Sequence, residues 1–433
     1  MNRLLLVAIA VGFFGGCFWN NVPLQAQTEL AKNTATSSND WTQWRGPNRT
    51  SIVESTLLNN LENLASLNKK WSVPLGESYS GPIVTANRVF VTETKDKKVE
   101  VVRALDRATG KEIWSREWEG AMSVPFFAKS NGDWIRATPI YDDGRLYVGG
   151  IRDVLVCLDA NNGSELWRID FVKEMKTELP PFGNVPSPLI DGEYLYTQAG
   201  NVVVKVEKKT GKIVWQSMKQ GADMMSGGAF SSPIIASLRG KRQLLVQTRL
   251  ELAGIDLDNG EGLWKKDIPT FRGMNILTPM AIGDRVFTST YQGGSFLFDI
   301  NYKDGKWSAD ELWKSRLEAY MSSPVVIDGH IYLHLRNQRF ACINLENGEE
   351  KWTSKGYGKY WSMVASGKKI LALDESGKLL LIAADPNEFR LLENKSLGGG
   401  STWAHIGLSG NEVFVRELKA MTVYNLENPG SSK

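Results

Sequence analysis

A chain of 433 residues that is 42% hydrophobic and 23% charged has the composition of a folded protein, which excludes disorder over its whole length. Lys+Arg 51 against Asp+Glu 48 leaves a formal charge of +3, too balanced for the field that binding phosphate backbones demands, so nucleic acid is not an expected partner. Three cysteines exclude a disulfide framework, a Cys-rich zinc site and a c-type haem motif, while 41 glycines and 15 tryptophans point to tight turns around large buried rings.

The N-terminus reads as an export signal. Met1 to Arg3 form a short basic start, and Leu4 to Phe14 is an apolar run of 11 residues, too short to span a bilayer. Two processing outcomes fit: Phe14-Gly15-Gly16-Cys17 resembles a lipoprotein site with Phe14 where Leu is preferred, and Leu24-Gln25-Ala26 precedes an ordinary cleavage point near residue 26. Residues 27–39 (QTELAKNTATSSN) are polar and small, as expected of a flexible tether. Residues 40–66 are expected to pack on the following domain as an arm. Its Trp41, Trp44 and Arg45 either pin it there or offer a partner surface.

From residue 67 onward the chain repeats itself. Asp106, Asp159 and Asp256 are each followed by Gly at +4 and Trp at +8, giving Trp114, Trp167 and Trp264. Glu207 and Asn344 keep both spacings, ending in Trp215 and Trp352, and Asp299 reaches Trp313 across a six-residue insertion. A seventh copy has decayed, with Ala384 and Leu392 at the acid and Trp positions. Between these copies runs a second pattern of a small residue, Pro, apolar residues, a turn and apolar alternation, as in TPIYDDGRLYV (138–148). Its prolines at 82, 139, 188, 233, 279 and 324 are 57, 49, 45, 46 and 45 residues apart, and weaker copies bring the total to eight.

A period near 45 suits a four-stranded blade with hairpin turns at the Asp-Gly, Asn-Arg and Gly-Lys steps. The expected fold is all-β: an eight-bladed propeller of four-stranded antiparallel blades over residues 67–427, followed by a tail at 428–433. The last copy lacks its fourth strand, and Asn68 to Val73 with Trp71 resembles one, so an N-terminal strand is expected to close the ring. The periodic tryptophans, Trp71, Trp114, Trp167, Trp215, Trp264, Trp313 and Trp352, are expected to dock neighbouring blades. Cys157 and Cys342 fall four blades apart, beyond disulfide reach, and are expected to be buried free thiols.

The A-x-D-x-x-x-G-x-x-x-W pattern alternating with the small-Pro strand resembles the pyrroloquinoline-quinone-type (PQQ-like) β-propeller repeat over about residues 68–427. Trp41-Thr42-Gln43-Trp44-Arg45-Gly46-Pro47 is similar to the opening of exported bacterial propellers of that superfamily. The resemblance implies either a quinoprotein dehydrogenase or a non-catalytic relative such as the outer-membrane barrel-assembly lipoprotein. The Cys-Cys pair of the alcohol-dehydrogenase branch is absent from this sequence.

If a ligand or partner binds, its place is expected to be the central funnel, fed by the residues before each small-Pro strand: Arg136, Asn184, Asn275, Tyr320, Trp361, Trp403 and His405, with Trp134, Met224, Met225, Arg272 and Tyr360 beside them. Otherwise these groups plug and rim a solvated channel, which is the favoured reading. Acidic residues are scarce in that set, which disfavours a Ca²⁺ ion with a carboxylate base. His330 and His334 share a strand face without a third ligand, and Gly398-Gly399-Gly400 either cradles an anion or only links blades. The reading is an exported, monomeric, non-catalytic scaffold binding envelope proteins in the periplasm or envelope. It needs no catalytic residue, metal or cofactor, and its only membrane contact is a lipid at Cys17. The alternative is a quinone-dependent oxidoreductase holding PQQ and Ca²⁺ in the funnel; carbohydrate binding by the aromatic rim is a third.

Overall fold

The computed structural model describes residues 40–426. The export signal with Cys17, the tether at 27–39 and the tail at 428–433 lie outside the described residues.

Eight antiparallel sheets of four strands each follow one another along the chain. The first seven blades are contiguous in sequence, running from Ile83–Glu119 through Ser362–Ser396. The eighth takes three strands from Gly407–Leu426 and its outermost from Leu67–Pro74, which pairs antiparallel with Ala420–Leu426. This N-terminal strand closes the ring as expected, so the first and last blades carry no unpaired internal edge.

The two sequence patterns have separate mechanical jobs. In the small-Pro pattern, the Ser or Thr before Pro139, Pro188, Pro233 and Pro279 carries the hydroxyl that accepts a backbone N–H from the preceding blade. Gly81 donates to Thr138 Oγ1 (2.9 Å), Thr138 to Ser187 Oγ (3.0 Å), Ser187 to Ser232 Oγ (2.9 Å) and Ser232 to Thr278 Oγ1 (3.3 Å). Proline has no N–H to compete for these acceptors and holds the chain extended into the first strand. The result is a belt of hydroxyl bonds along consecutive blades.

In the acid-Gly-Trp pattern, the tryptophan of one blade docks on the turn of the next. The Trp114 indole donates to Ala160 O at 3.0 Å, and Trp71, Trp167, Trp215, Trp313 and Trp352 donate to the carbonyls of Arg107, Lys208, Leu257, Leu345 and Asp385. Each acceptor is the residue after the acid position of the following repeat. The turn glycine lies flat on the same ring: at Gly163, with φ of 73°, a Cβ would come within 2.6 Å of the Trp114 ring. Only glycine meets both conditions, the positive φ and the contact. Within the blade, the aromatic at the centre of the second strand tilts against the same indole, as Phe90 does on Trp114 at 5.9 Å and 45°.

Trp264 departs from the scheme. Its indole donates to Gln243 Oε1 in its own blade, at 2.8 Å. The following repeat is the one with the insertion, where the turn is replaced by a long hairpin of Gly294–Lys303 and Lys306–Ser315. The equivalent carbonyl there, Ile300 O, is taken by Arg239 Nε at 2.8 Å. Cys157 and Cys342 are buried and free, as expected.

Replacing Trp114 by Ala is expected to cost roughly 3–5 kcal/mol of stability through the cavity left between the first two blades. Trp114→Phe keeps most of the ring and removes the indole donor, while the Ala160 carbonyl keeps its bond from Arg88 Nη1, for about 0.5–1.5 kcal/mol. Denaturant unfolding followed by tryptophan emission measures both, and equal losses for the two variants would show that the indole hydrogen bond, not ring packing, carries the docking.

Candidate functional site

The arm before the closing strand crosses the central channel. Trp41 exchanges backbone hydrogen bonds with Val84 of the first blade (2.8 and 2.9 Å), and Thr42 O accepts from Tyr141 N of the second (2.8 Å). Arg49 reaches the Pro188 and Ser187 carbonyls of the third blade at 2.7 and 3.0 Å, and Arg45 donates to Pro324 O of the sixth at 2.5 Å. Ser51 and Val53 then pair with Ala365 of the seventh. These blades face one another across the ring, so the segment spans it. Two buried guanidiniums thus end on backbone carbonyls, and desolvation pulls both down to about 9.

Above this crossing lies a cavity of about 570 Å³, floored by Trp44 and His405. An aromatic collar surrounds it, built from rings on the segments leading into the first strands of the blades, with Tyr291 added from a hairpin of the fifth blade. Tyr79 stacks on Trp403 (4.5 Å, 10°) and meets Trp134 edge-on, and the series continues through Tyr360, Tyr320, Tyr291 and Phe271. The opposite arc is Phe127, Phe182 and Phe230. Met224, Met225, Met274, Met321 and Met363 complete much of the wall.

Of the residues expected in the funnel, Arg136, Tyr320, Trp361, Trp403 and His405 line the cavity, as do Met224, Met225, Arg272 and Tyr360. Asn184 and Asn275 do not. Asn184 borders a separate, smaller void beside Gln198, and Asn275 is fully buried, its Nδ2 donating to Arg249 O at 3.1 Å. Both lie on the right segment, but their short side chains are buried away from the cavity, Asn275 on the Arg249 carbonyl and Asn184 against Gly149. Tyr79, Phe182 and Phe230 were missed; their signal was an aromatic a few residues before each small-Pro step. Arg249 was missed because it lies in a hairpin turn outside both repeat patterns. Its guanidinium donates to the carbonyls of Gly227, Gly273, Met224 and Arg272 and sits 4.4 Å from the Phe230 ring centre.

The electrostatics of the lining are one-sided. Arg136, Arg249 and Arg272 contribute positive charge, no Asp or Glu lines the cavity, and none of the three pairs with a carboxylate among the described residues. Desolvation lowers Arg136 and Arg249 to about 10 and raises Tyr79 and Tyr320 to about 12. Such a lining supplies neither a carboxylate ligand to neutralise Ca²⁺ nor a carboxylate base, so it does not fit a Ca²⁺–quinone centre. Among the described residues no cluster of His, Cys, Asp or Glu is arranged for a metal.

The remaining candidates are structural. His334 stacks on Trp361 (4.6 Å), with Nε2 3.0 Å from Gly358 O, and burial pushes it down to about 4. His405 is sandwiched near Trp41 and Trp44, its Nε2 3.1 Å from Ser51 Oγ, and desolvation reinforced by Arg45 takes it to about 3. The Gly398–Gly400 loop faces the Glu417 carboxylate, which takes the place an anion would need.

The sequence pattern of the family described as "Outer membrane protein assembly factor BamB" matches residues 98–354, more than half of the chain. The chain belongs to this family. Relatives named outer membrane protein assembly factor BamB include that of Escherichia coli (strain K12), 21% identical over 87% of this chain and 92% of its own. Another is that of Moranella endobia, 22% identical over 80% and 87%. Among solved structures, BamB from Moraxella catarrhalis superposes with a TM-score of 0.60 at 14% identity, over 84% of this chain and 99% of its own. A europium-containing methanol dehydrogenase reaches 0.65 at 13%, over 92% and 100%. Both structural likenesses show the shared propeller fold alone, because the BamB factor and the dehydrogenase have the same frame with different sites.

His334 and His405 each contribute a loss of stability on acidification. Their folded pKa values lie below the unfolded value near 6.5, so the stability they supply is full above that pH and is lost as pH falls toward 4 and 3. The buried Glu100 and Asp153 carboxyls, both raised to about 7 by desolvation, act in the opposite sense over the same range, so the readout is a difference. Between pH 7 and pH 4.5, His334→Gln should lose less stability than the wild type, by up to about one proton or ~1.4 kcal/mol per pH unit in urea unfolding. An unchanged slope would show that His334 titrates alike in the folded and unfolded chains.

Proposed function

We propose that this protein is an exported, non-catalytic scaffold of the cell envelope that holds protein partners during outer-membrane protein assembly. Membership of the assembly-factor family carries the reading. The apolar start at Leu4–Phe14 supports export, with Cys17 as the residue for a lipid anchor. The cavity mouth supports partner contact: Phe126 is 85% exposed, and Phe127, Met224, Met225 and Phe271 are exposed beside it. Apolar side chains gathered at one mouth are the composition of a contact surface. The acid-free lining supports a binding role over alcohol oxidation.

Deleting the chain in its source organism is expected to lower the amount of folded, heat-modifiable β-barrel protein in the outer membrane, with restoration by the wild-type chain. Phe126→Asp combined with Met225→Asp should restore it only in part while leaving the purified protein folded. Unchanged barrel levels on deletion, together with stoichiometric Ca²⁺-dependent binding of pyrroloquinoline quinone and dye reduction by the purified protein, would overturn the reading in favour of an oxidoreductase.

A further inference from the structure

We propose that the cavity binds a small amphipathic carboxylate, a molecule with one carboxylate head and an aromatic or alkyl body. Three independent observations on the lining converge on this chemistry.

The first is the imbalance of donors over acceptors. Trp361 is 1% exposed, lines the cavity, and its indole N–H has no hydrogen-bond partner. The Trp134 indole N–H, beside the rim, is likewise unpartnered. Arg136 donates through Nε to Trp134 O and through Nη2 to Gly132 O, which holds the guanidinium still with its Nη1 uncommitted. A buried donor without an acceptor is destabilising, and a ligand oxygen that reaches it relieves that cost.

The second is charge. Arg249 spends four of its five N–H groups on backbone carbonyls, its charge sits 4.4 Å from the Phe230 ring centre, and Arg272 is exposed at the mouth. With no carboxylate in the lining, the field favours an anion. One uncommitted guanidinium edge suits the two oxygens of a single carboxylate, whereas a phosphate dianion calls for several cations or a nest of backbone N–H groups.

The third is the wall. Five methionines among aromatic rings make a surface that re-packs around irregular apolar shapes, and about 570 Å³ is within the range of small-molecule pockets. The blind floor at Trp44 limits the body to what enters from the mouth. This ligand occupies the same funnel the scaffold reading gives to partners, and binding to the purified protein is measured apart from any assembly phenotype, so either can fail alone.

The test is calorimetry and tryptophan-emission titration of the intact mature protein with 2-naphthoate and decanoate, with decyltrimethylammonium and acetate as controls. One-to-one, saturable micromolar binding of both carboxylates is expected, at least tenfold tighter than the quaternary ammonium, with no response to acetate. Arg136→Gln should weaken it at least tenfold, and Trp361→Phe about threefold. Met225→Glu is a surface substitution that places a carboxylate at the mouth without touching the core, and it should weaken binding even if Arg136→Gln fails to fold. No saturable binding up to millimolar carboxylate, equal affinity for the cation, or insensitivity to both Arg136→Gln and Met225→Glu would overturn the proposal.

Discussion

Docking of one blade's tryptophan on the next blade's turn is the contact on which the ring depends. A four-stranded blade has two faces to bury and cannot do so alone, so each must be covered by its neighbours. Between most neighbours the indole supplies a flat apolar surface and one directed hydrogen bond, and the glycine at +4 supplies a turn that fits against it. The contact is transferable because it uses a backbone carbonyl as acceptor. The acid position therefore varies from Asp to Glu, Asn and Ala without loss of the joint, as Trp352 on Asp385 O shows after the acid position has become Ala384.

The hydroxyl belt complements this joint nearer the axis. Tryptophans tie the outer strands and Ser/Thr-Pro steps tie the inner ones, which leaves the loops between blades free to carry other chemistry. Those loops supply the aromatic collar, the methionines and Arg136. The frame is thus separable from the lining, and that is why an assembly factor and a methanol dehydrogenase superpose on the same chain at 13–14% identity.

The arm converts an open channel into a blind cavity. Arg45 and Arg49 cross the axis as cations, yet each ends on carbonyls of the small-Pro strands, so the plug is held by bonds to several blades at once. Trp44 lies 5.6 Å from both guanidiniums and closes the floor beside His405. Fixing His405 as a neutral ring follows from the same packing, since protonating it would add a third positive charge beside Arg45 and Arg49, neither of which has an ion-pair partner among the described residues.

Period, blade count, closure by the Leu67–Pro74 strand and the positions of the docking tryptophans were legible in the chain, because each is a spacing repeated many times and backbone geometry converts spacing into register. The funnel was legible in part: the segment before each small-Pro step points Arg136, Tyr320, Trp361, Trp403 and His405 to the axis, but spacing does not say which way a short side chain turns. Asn184 and Asn275 therefore fell on the right segment and the wrong side. Arg249, the exception at Trp264 and the path of the arm across the channel were decided only by tertiary structure, since each depends on which carbonyl is left unpaired once distant blades have come together.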